Sequence, residues 1–428
     1  NLPKNTWAYF IEPSSFDKNT AYAVFTGYTS GDFKPYVYKT IDAGKTWKSI
    51  VSPDLKSFAR NIKEDYKNPN LLFLGTEGGL YVTIDGGQNW SQFKNNMPPV
   101  AVHWIALHPT EDALVMATHG RGVIIVDDIS PLRQLTKEII AKDLHFFTTK
   151  PTKMAESGAF GGYARMGEFV GENPSSMAQI VYFLKSRHTF GKMSLEIFDQ
   201  NDKKIADLAP GKSKGINYVD WNYSLKPPKV AKGKTLVFGG FQGPTVLPGT
   251  YKIKVTKGTK TYESNLNLIA NPKSIHTAED RKVQFETAMK LFNMSEELGY
   301  VVDQIDTYKV KIDSISPKLT SAKLKKQFPV ADIASKMQIL KETLVVLKGD
   351  NYVGAAEPQL REKISGLYGE VLSYTGRPTN AQLSSMKVLE EKLNAVKSQM
   401  EGFKVSLDKL APAMAKAKMP KLKVRSFE

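Results

Sequence analysis

One short turn occurs twice in this sequence, 43 residues apart. "YKTIDAGKTW" (38–47) and "YVTIDGGQNW" (81–90) share the order Thr-x-Asp-x-Gly-x-x-Trp. A third unit, "GVIIVDD" (122–128), aligns at the same interval but lacks the Trp. Units of 40–45 residues that each hold several short strands are typical of β-propeller blades. The sequence therefore predicts that residues 1–150 form a partial β-propeller of about three blades.

The residues of the repeated turn fit a structural role. An Asp carboxylate can accept backbone N–H groups across a turn. The Gly two positions later allows a positive φ without steric cost. The Trp is expected to bury its ring between neighbouring blades. The predicted structural residues are Asp42, Gly44, Trp47, Asp85, Gly87 and Trp90.

These turns resemble the Asp-box, or BNR repeat, of sialidases, xyloglucanase-type glycoside hydrolases and sortilin-type propellers. "DFKPYVYKTIDAGKTW", "LGTEGGLYVTIDGGQNW" and "MATHGRGVIIVDDISPLRQL" are similar to large secreted proteins of Bacteroidota labelled sortilin-like or BNR-repeat glycosyl hydrolase. The resemblance covers residues 1–150 and extends further only in domain order. It implies a secreted, periplasmic or cell-surface location. The Cys-rich module of animal sortilins is absent, so the resemblance implies no sorting-receptor role.

Three blades do not close a ring, because propellers have about four to eight. An open arc would expose the strand edges and blade faces that closure covers. We therefore expect further Asp-box blades, either N-terminal to Asn1 or supplied by another chain.

The middle of the chain changes to a different strand pattern. Residues 178–272 alternate apolar and polar side chains in segments such as "AQIVYFLK" and "GTYKIKVTKG", separated by turns. About six or seven strands of this kind predict an immunoglobulin-like β-sandwich. A Gly-rich stretch (156–176) precedes them, so the second predicted domain, 151–275, consists of a linker and the sandwich.

The last third, 276–428, has helical periodicity. Thr277 and Thr379 each begin a capping box, with Asp280 and Gln382 three residues later. Apolar residues then recur at alternating spacings of three and four, which predicts an antiparallel helical bundle. We interpret this stripe as an internal core rather than a partner-binding face. The segment 409–428 is a basic tail that is either solvated or in contact with an anionic glycan or lipid headgroup. The predicted fold class is thus multidomain β and α: propeller arc, Ig-like sandwich and helical bundle.

The composition argues against several classes of function. The chain has 59 Lys and Arg against 43 Asp and Glu, and nearly all the excess is Lys. Since phosphate recognition favours the bidentate Arg fork, we predict no nucleic-acid partner. The sequence contains no run of about 18 apolar residues, so we predict no transmembrane helix. Without Cys, and with six His outside any metal-ligand spacing, neither a metal site nor a cofactor is predicted.

The candidate binding residues lie in loops that are predicted to reach the face opposite the Asp turns. They are Asp32, Glu77, His119 and Arg121. Asp32 and Glu77 are also candidates for the two catalytic carboxylates of a glycosidase. The favoured function is non-catalytic binding or assembly outside the cytoplasm, and the alternative is a glycoside hydrolase that acts on a polysaccharide.

Charge indicates where a partner would bind. Residues 136–275 contain 21 Lys and Arg against 11 Asp and Glu, whereas residues 1–135 contain 13 of each. Lys residues two apart on a strand project from one face and reinforce one electrostatic field. We expect an acidic protein partner or an anionic glycan to contact residues 205–260, in part through Lys252, Lys254, Lys257 and Lys260.

Overall fold

The structure is a computed structural model that describes residues 2–156, 167, 175–237, 241–348, 356–417 and 419. Most of the predicted Gly-rich linker, and most of the predicted basic tail after residue 417, lie outside the described residues. The chain has a mixed β and α fold, in which antiparallel sheets precede a C-terminal helical region.

The described strands are β1 (Trp7–Pro13), β2 (Ala21–Gly27), β3 (Asp32–Thr40), β4 (Lys48–Ser49), β5 (Ala59–Glu64), β6 (Leu72–Thr76), β7 (Gly79–Thr83), β8 (Ser91–Gln92), β9 (Val102–Leu107), β10 (Leu114–Thr118), β11 (Val123–Val126), β12 (Leu144–Phe146), β13 (Thr152–Lys153), β14 (Ala178–Leu184), β15 (Met193–Phe198), β16 (Lys204–Leu208), β17 (Gly215–Trp221), β18 (Gly249–Lys257) and β19 (Lys260–Ile269). The described α-helices are α1 (Ser130–Gln134), α2 (Lys137–Ala141), α3 (Ala278–Ile315), α4 (Ala322–Gln327), α5 (Val330–Leu344), α6 (Leu360–Leu372) and α7 (Asn380–Lys416).

Three antiparallel sheets follow one another along the chain. Strands β1 to β4 form the first sheet and β5 to β8 the second, each in chain order, and β9 to β11 form the third. Every strand thus pairs with its neighbour in sequence, as hairpins of short strands require.

The second sheet lies between the other two. One apolar cluster joins the first sheet to the second, and another joins the second to the third. Strand β6 is therefore buried on both faces, with Leu72, Phe73 and Leu74 inaccessible to solvent. This explains why "LLFLG" reads as a continuous apolar run rather than an alternating one.

The outer sheets keep exposed apolar side chains. Trp7 and Ile11 of β1 are 66% and 59% exposed, and Val123 and Ile125 of β11 are 63% and 56% exposed. Scattered apolar residues are ordinary on a surface, but neighbours on one strand form a patch. The first and third sheets thus each present apolar surface to solvent.

The third sheet ends differently from the first two. Asp128 aligns with the repeated Asp, but its carboxylate accepts the backbone N–H and the hydroxyl of Ser130. These contacts lie at the start of helix α1, whose first turn contains Pro131, where a missing N–H is tolerated. A short helix consequently replaces the turn into a fourth strand.

Two further sheets pack around a common apolar cluster that includes Trp221 and Leu195. The fourth sheet has the order β12-β14-β17, and the fifth has the order β13-β19-β18-β15-β16. Strand β12 lies before residue 150 in sequence but pairs with β14, and β13 pairs in parallel with β19. All the other pairings in these two sheets are antiparallel.

The helical region has the two capping boxes that the sequence predicts. Thr277 accepts the N–H of Asp280 at the start of α3, and Thr379 accepts that of Gln382 at the start of α7. The apolar stripe of α7 faces the interior, since its buried members include Leu389 and Leu393. Helix α3 also contacts the loop after β17, where Lys229 forms an ion pair with Asp303.

Candidate functional site

The Asp turns use their carboxylates locally. Asp42 Oδ1 accepts the N–H of Thr46 at 2.9 Å and the Thr40 hydroxyl at 2.8 Å, and its Oδ2 accepts the Thr46 hydroxyl at 2.6 Å. These bonds, that of the Thr46 hydroxyl first, lower the pKa of Asp42 to about 2. Asp85 makes the same contacts with Thr83 and Asn89. Carboxylates that hold a turn in this way are poorly placed to react with a substrate.

The glycines of the two turns adopt the positive φ that the sequence predicts. Gly44 has a φ of 85° and Gly87 a φ of 94°. Their amides donate to the hydroxyls of Thr40 and Thr83, at 3.0 and 3.1 Å. A side chain at Gly87 would also approach Ile50 at 3.0 Å, so both conformation and space favour Gly there.

The two Trp residues differ, which corrects the expectation that both bury their rings between sheets. Trp90 is 1% exposed, and its Nε1 donates to the Ile50 carbonyl of the preceding segment at 2.8 Å. Trp47 is only half-buried, and its Nε1 donates to Gly44 within its own turn at 3.1 Å. Trp90 packs in the apolar cluster that joins the first sheet to the second, whereas Trp47 belongs to none of the described core clusters.

The opposite ends of the strands carry a cluster centred on Arg60. Its Nε and Nη2 both donate to Glu77 Oε2, at 3.0 and 2.7 Å. The guanidinium carbon lies 4.9 Å from the ring centroids of both Tyr28 and Phe58, and 5.7 Å from that of Tyr9. Tyr28 and Phe58 stack at 5.4 Å. We call Arg60, Glu77, Tyr9, Tyr28 and Phe58 the Arg60 cluster.

Two histidines lie beside this cluster. The rings of His103 and His119 stack at 5.4 Å with an interplanar angle of 16°. Burial lowers the pKa of His103, and the positive charge of Arg60 lowers it further. His119 is exposed at the turn between β10 and β11, where Arg121 is exposed as well. The neutral His103 ring is thus favoured next to a fixed positive charge.

Asp32 lies at the start of β3, on the same side of the sheets. Its carboxylate accepts the Tyr36 hydroxyl at 2.7 Å and the Lys34 N–H at 3.1 Å. These bonds, that of Tyr36 first, lower the pKa of Asp32. Its neighbour Phe33 is 62% exposed, and the ring centroids of Phe33 and Phe58 are 6.0 Å apart. A carboxyl group with a lowered pKa stays ionised near neutral pH and is unsuited to be a proton donor.

Sequence reasoning selected Glu77 and His119 but missed their partners Arg60 and His103. Arg60 is one of only nine Arg in the chain, and it is the second residue of the buried strand β5. The rarity of Arg in a Lys-rich chain could have marked Arg60 as a candidate, because Arg is favoured where a cation forms an ion pair and stacks on rings at the same time. Arg60 and Phe58 are buried, whereas Tyr9, Tyr28 and the Glu77 side chain are 42%, 38% and 42% exposed. The cluster thus offers two aromatic rings and a carboxylate at the surface, which suits stacking and hydrogen bonding with a ligand.

In the described part of the chain, no group of three or more His, Asp or Glu side chains is arranged to hold a metal ion. None of the described helices combines the length and apolarity that a membrane crossing needs.

Residues 36–149 match the family model described as sortilin, neurotensin receptor 3. A "vacuolar protein sorting/targeting protein 10" of Leptosphaeria maculans is 22% identical over 293 residues. That alignment covers 66% of this chain but only 16% of the relative. The chain is thus similar to sortilin-type proteins and spans a small part of the length of this curated relative.

Among solved structures, the chain has a partial likeness to two GH74 enzymes. That of Niastella koreensis is 12% identical with a TM-score of 0.25, covering 60% of this chain and 38% of its own. The GH74 xyloglucanase of Xanthomonas campestris is also 12% identical, with a TM-score of 0.24 and coverages of 60% and 36%.

Proposed function

We propose that this chain belongs to a non-catalytic binding or assembly protein that acts outside the cytoplasm. In this proposal residues 1–150 are an arc of an Asp-box β-propeller, 151–275 a linker and an Ig-like sandwich, and 276–428 a helical bundle. The Arg60 cluster is the ligand site. The observation that carries the proposal is the set of rings around the Arg60–Glu77 ion pair, on the side of the sheets opposite the Asp turns.

Binding is favoured over hydrolysis by the state of the two candidate carboxylates. A glycosidase needs one carboxyl group that can deliver a proton. Asp32 has a lowered pKa, and Glu77 accepts two hydrogen bonds from Arg60. The descriptions of the sortilin-type relatives also name a receptor and a sorting protein, which supports a protein ligand.

The exposed apolar surfaces of the first and third sheets support a second part of the proposal. We propose that further sheets of the same kind cover Trp7 and Ile11 on one side, and Val123 and Ile125 on the other. These sheets belong to a longer protein or to another chain. Burying such residues stabilises the arc by removing apolar surface from water.

The test is a screen of the full chain on peptide and glycan arrays, together with a hydrolysis screen on polysaccharides. We expect capture without turnover, and at least a tenfold loss of affinity on Arg60→Ala, because that substitution also leaves Glu77 without its partner. Arg187→Ala removes an exposed cation elsewhere and controls for the loss of one positive charge. Turnover that disappears on Asp32→Ala or Glu77→Ala would establish the glycoside hydrolase instead.

A further inference from the structure

A cleft of about 610 Å³ lies between strand β16 and helix α3, far along the chain from the Arg60 cluster. On the sheet side it is lined by five consecutive residues, Lys203 to Asp207. Side chains of a strand alternate between the two faces. A cleft that touches five successive residues therefore follows the edge of the strand, where the backbone lies.

Strand β16 is the last strand of the fifth sheet, so its outer edge pairs with no strand among the described residues. Its backbone bonds to β15 use only the inner edge, through pairs such as Leu195 with Leu208. An edge of this kind is a template for an added strand. The cleft thus offers a row of backbone donors and acceptors.

The opposite wall is apolar and regular. Phe285, Met289 and Phe292 line the cleft from α3, at helical spacings of four and three. All three are half-buried, and these spacings place them on one stripe of the helix. A strand added to β16 would present every second side chain to this stripe.

The rim of the cleft has a small excess of positive charge, with three Lys against two Asp. Lys203, Lys204 and Lys226 line it, together with Asp199 and Asp207. Asp207 pairs with Lys204 at 3.0 Å and with Lys226 at 2.8 Å, and Lys204 also pairs with Glu196 at 3.1 Å. Residues 136–275 as a whole have ten more Lys and Arg than Asp and Glu. Acidic residues in a bound segment are therefore favoured over basic ones.

We propose that β16 binds an extended, acidic peptide segment of a partner protein as an additional strand, with alternate apolar side chains against the Phe285–Met289–Phe292 stripe. The five residues of β16 span about 17 Å, which sets the paired length at about five residues. Main-chain pairing supplies affinity in this mode of recognition, and the side-chain contacts supply specificity. A glycan lacks the row of amide donors that the edge would pair with.

The probe is a fluorescein-labelled, blocked peptide that alternates Glu and Val over seven residues, titrated against the full chain by fluorescence anisotropy. We expect saturable binding that weakens with added salt, and slower hydrogen exchange at the amides of residues 204–208 on binding. A Lys/Val peptide should bind at least about tenfold more weakly, since it reverses the charge match. A peptide N-methylated at every residue lacks donors for the ladder and should not bind.

Met289→Glu adds a charge to the apolar wall and should weaken binding at least about tenfold. Val310→Glu adds the same charge at an exposed site of the same helix and should leave binding unchanged. Lys226→Gln, at a side chain that is 67% exposed, retains the fold and should reduce both affinity and salt dependence.

Any of several results overturns the proposal. They are absence of peptide binding at millimolar concentration, equal binding of the N-methylated or Lys/Val peptide, unchanged exchange at 204–208, or Lys226→Gln binding like the wild type. Binding of a sulfated oligosaccharide in place of the peptide would assign the cleft to a glycan.

Discussion

Replacing Arg133 with Met should loosen the contact between the second and third sheets. Arg133 Nε and Nη2 bind Asp65 at 2.7 to 3.0 Å, and its Nη1 binds Asp112 at 2.5 Å. The three side chains are 9%, 0% and 3% exposed, so these are buried charges. Asp112 keeps Lys67 and Lys150, each at 2.7 Å, whereas Asp65 keeps no other described cation.

The cost of Arg133→Met therefore falls on Asp65. Breaking a buried ion pair from one side costs about 3–5 kcal/mol, because it leaves a desolvated charge without a partner. Asp65→Asn in the same chain removes that charge, so the double variant should lose about 1–3 kcal/mol less than the sum of the single variants. Arg121→Met, at an exposed arginine of the third sheet, should change stability by less than about 0.5 kcal/mol.

Hydrogen exchange measured by mass spectrometry on peptides from β5 and β9 reports this local free energy. A single unfolding midpoint does not report this local free energy, since a chain with several cores need not unfold in one step. The expected cost corresponds to exchange that is roughly 100- to 5,000-fold faster in these strands. Unchanged exchange in Arg133→Met, or strictly additive effects in the double-mutant cycle, would refute the assignment.

Three smaller perturbations test other parts of the fold. Trp90→Ala should cost about 3–5 kcal/mol and Trp47→Ala much less, measured by exchange in β4 and β8, because only Trp90 is fully buried. The folded-state pKa of His103 is lowered from 6.5. The stability that depends on its neutral ring is therefore present above pH 6.5 and declines as the pH falls below that value. His103→Gln should flatten the pH profile of hydrogen exchange in β9. Thr277→Ala should cost about 1 kcal/mol at the first turn of α3, read from its amide exchange.

The predictable parts of this protein depend on contacts within a few residues. The Asp-turn bonds join residues two and four apart, and the capping boxes join residues three apart. The apolar stripe of α7 needs only the helical period. Such contacts leave a pattern in the sequence, because the backbone conformation alone brings their partners together.

The candidate site was only half predictable for the same reason. Loop position selected Glu77 and His119, but Arg60 lies 17 residues from Glu77 in sequence and 51 from Tyr9. No local pattern connects these residues, since the turn between β6 and β7 and the packing of β1 on β5 bring them together. Only part of the predicted Lys face forms. The Nζ atoms of Lys252 and Lys254 lie 5.3 and 5.4 Å from the Phe198 ring centroid, whereas Lys257 pairs with Asp143.

The sequence by itself determined the Asp turns, the strand-rich middle and the capped helices, because each is encoded by residue type at short spacing. The recurrence of the Asp turn then shows the 43-residue period directly. Only the tertiary structure decided that Trp90 is buried while Trp47 is not, that Asp65 lies against Arg133 at a distance of 68 residues, and that β16 faces α3 across a cleft. These outcomes depend on which sheet faces pack together. Packing partners distant in sequence are chosen by the shape and burial of whole elements, which no short stretch of residues specifies.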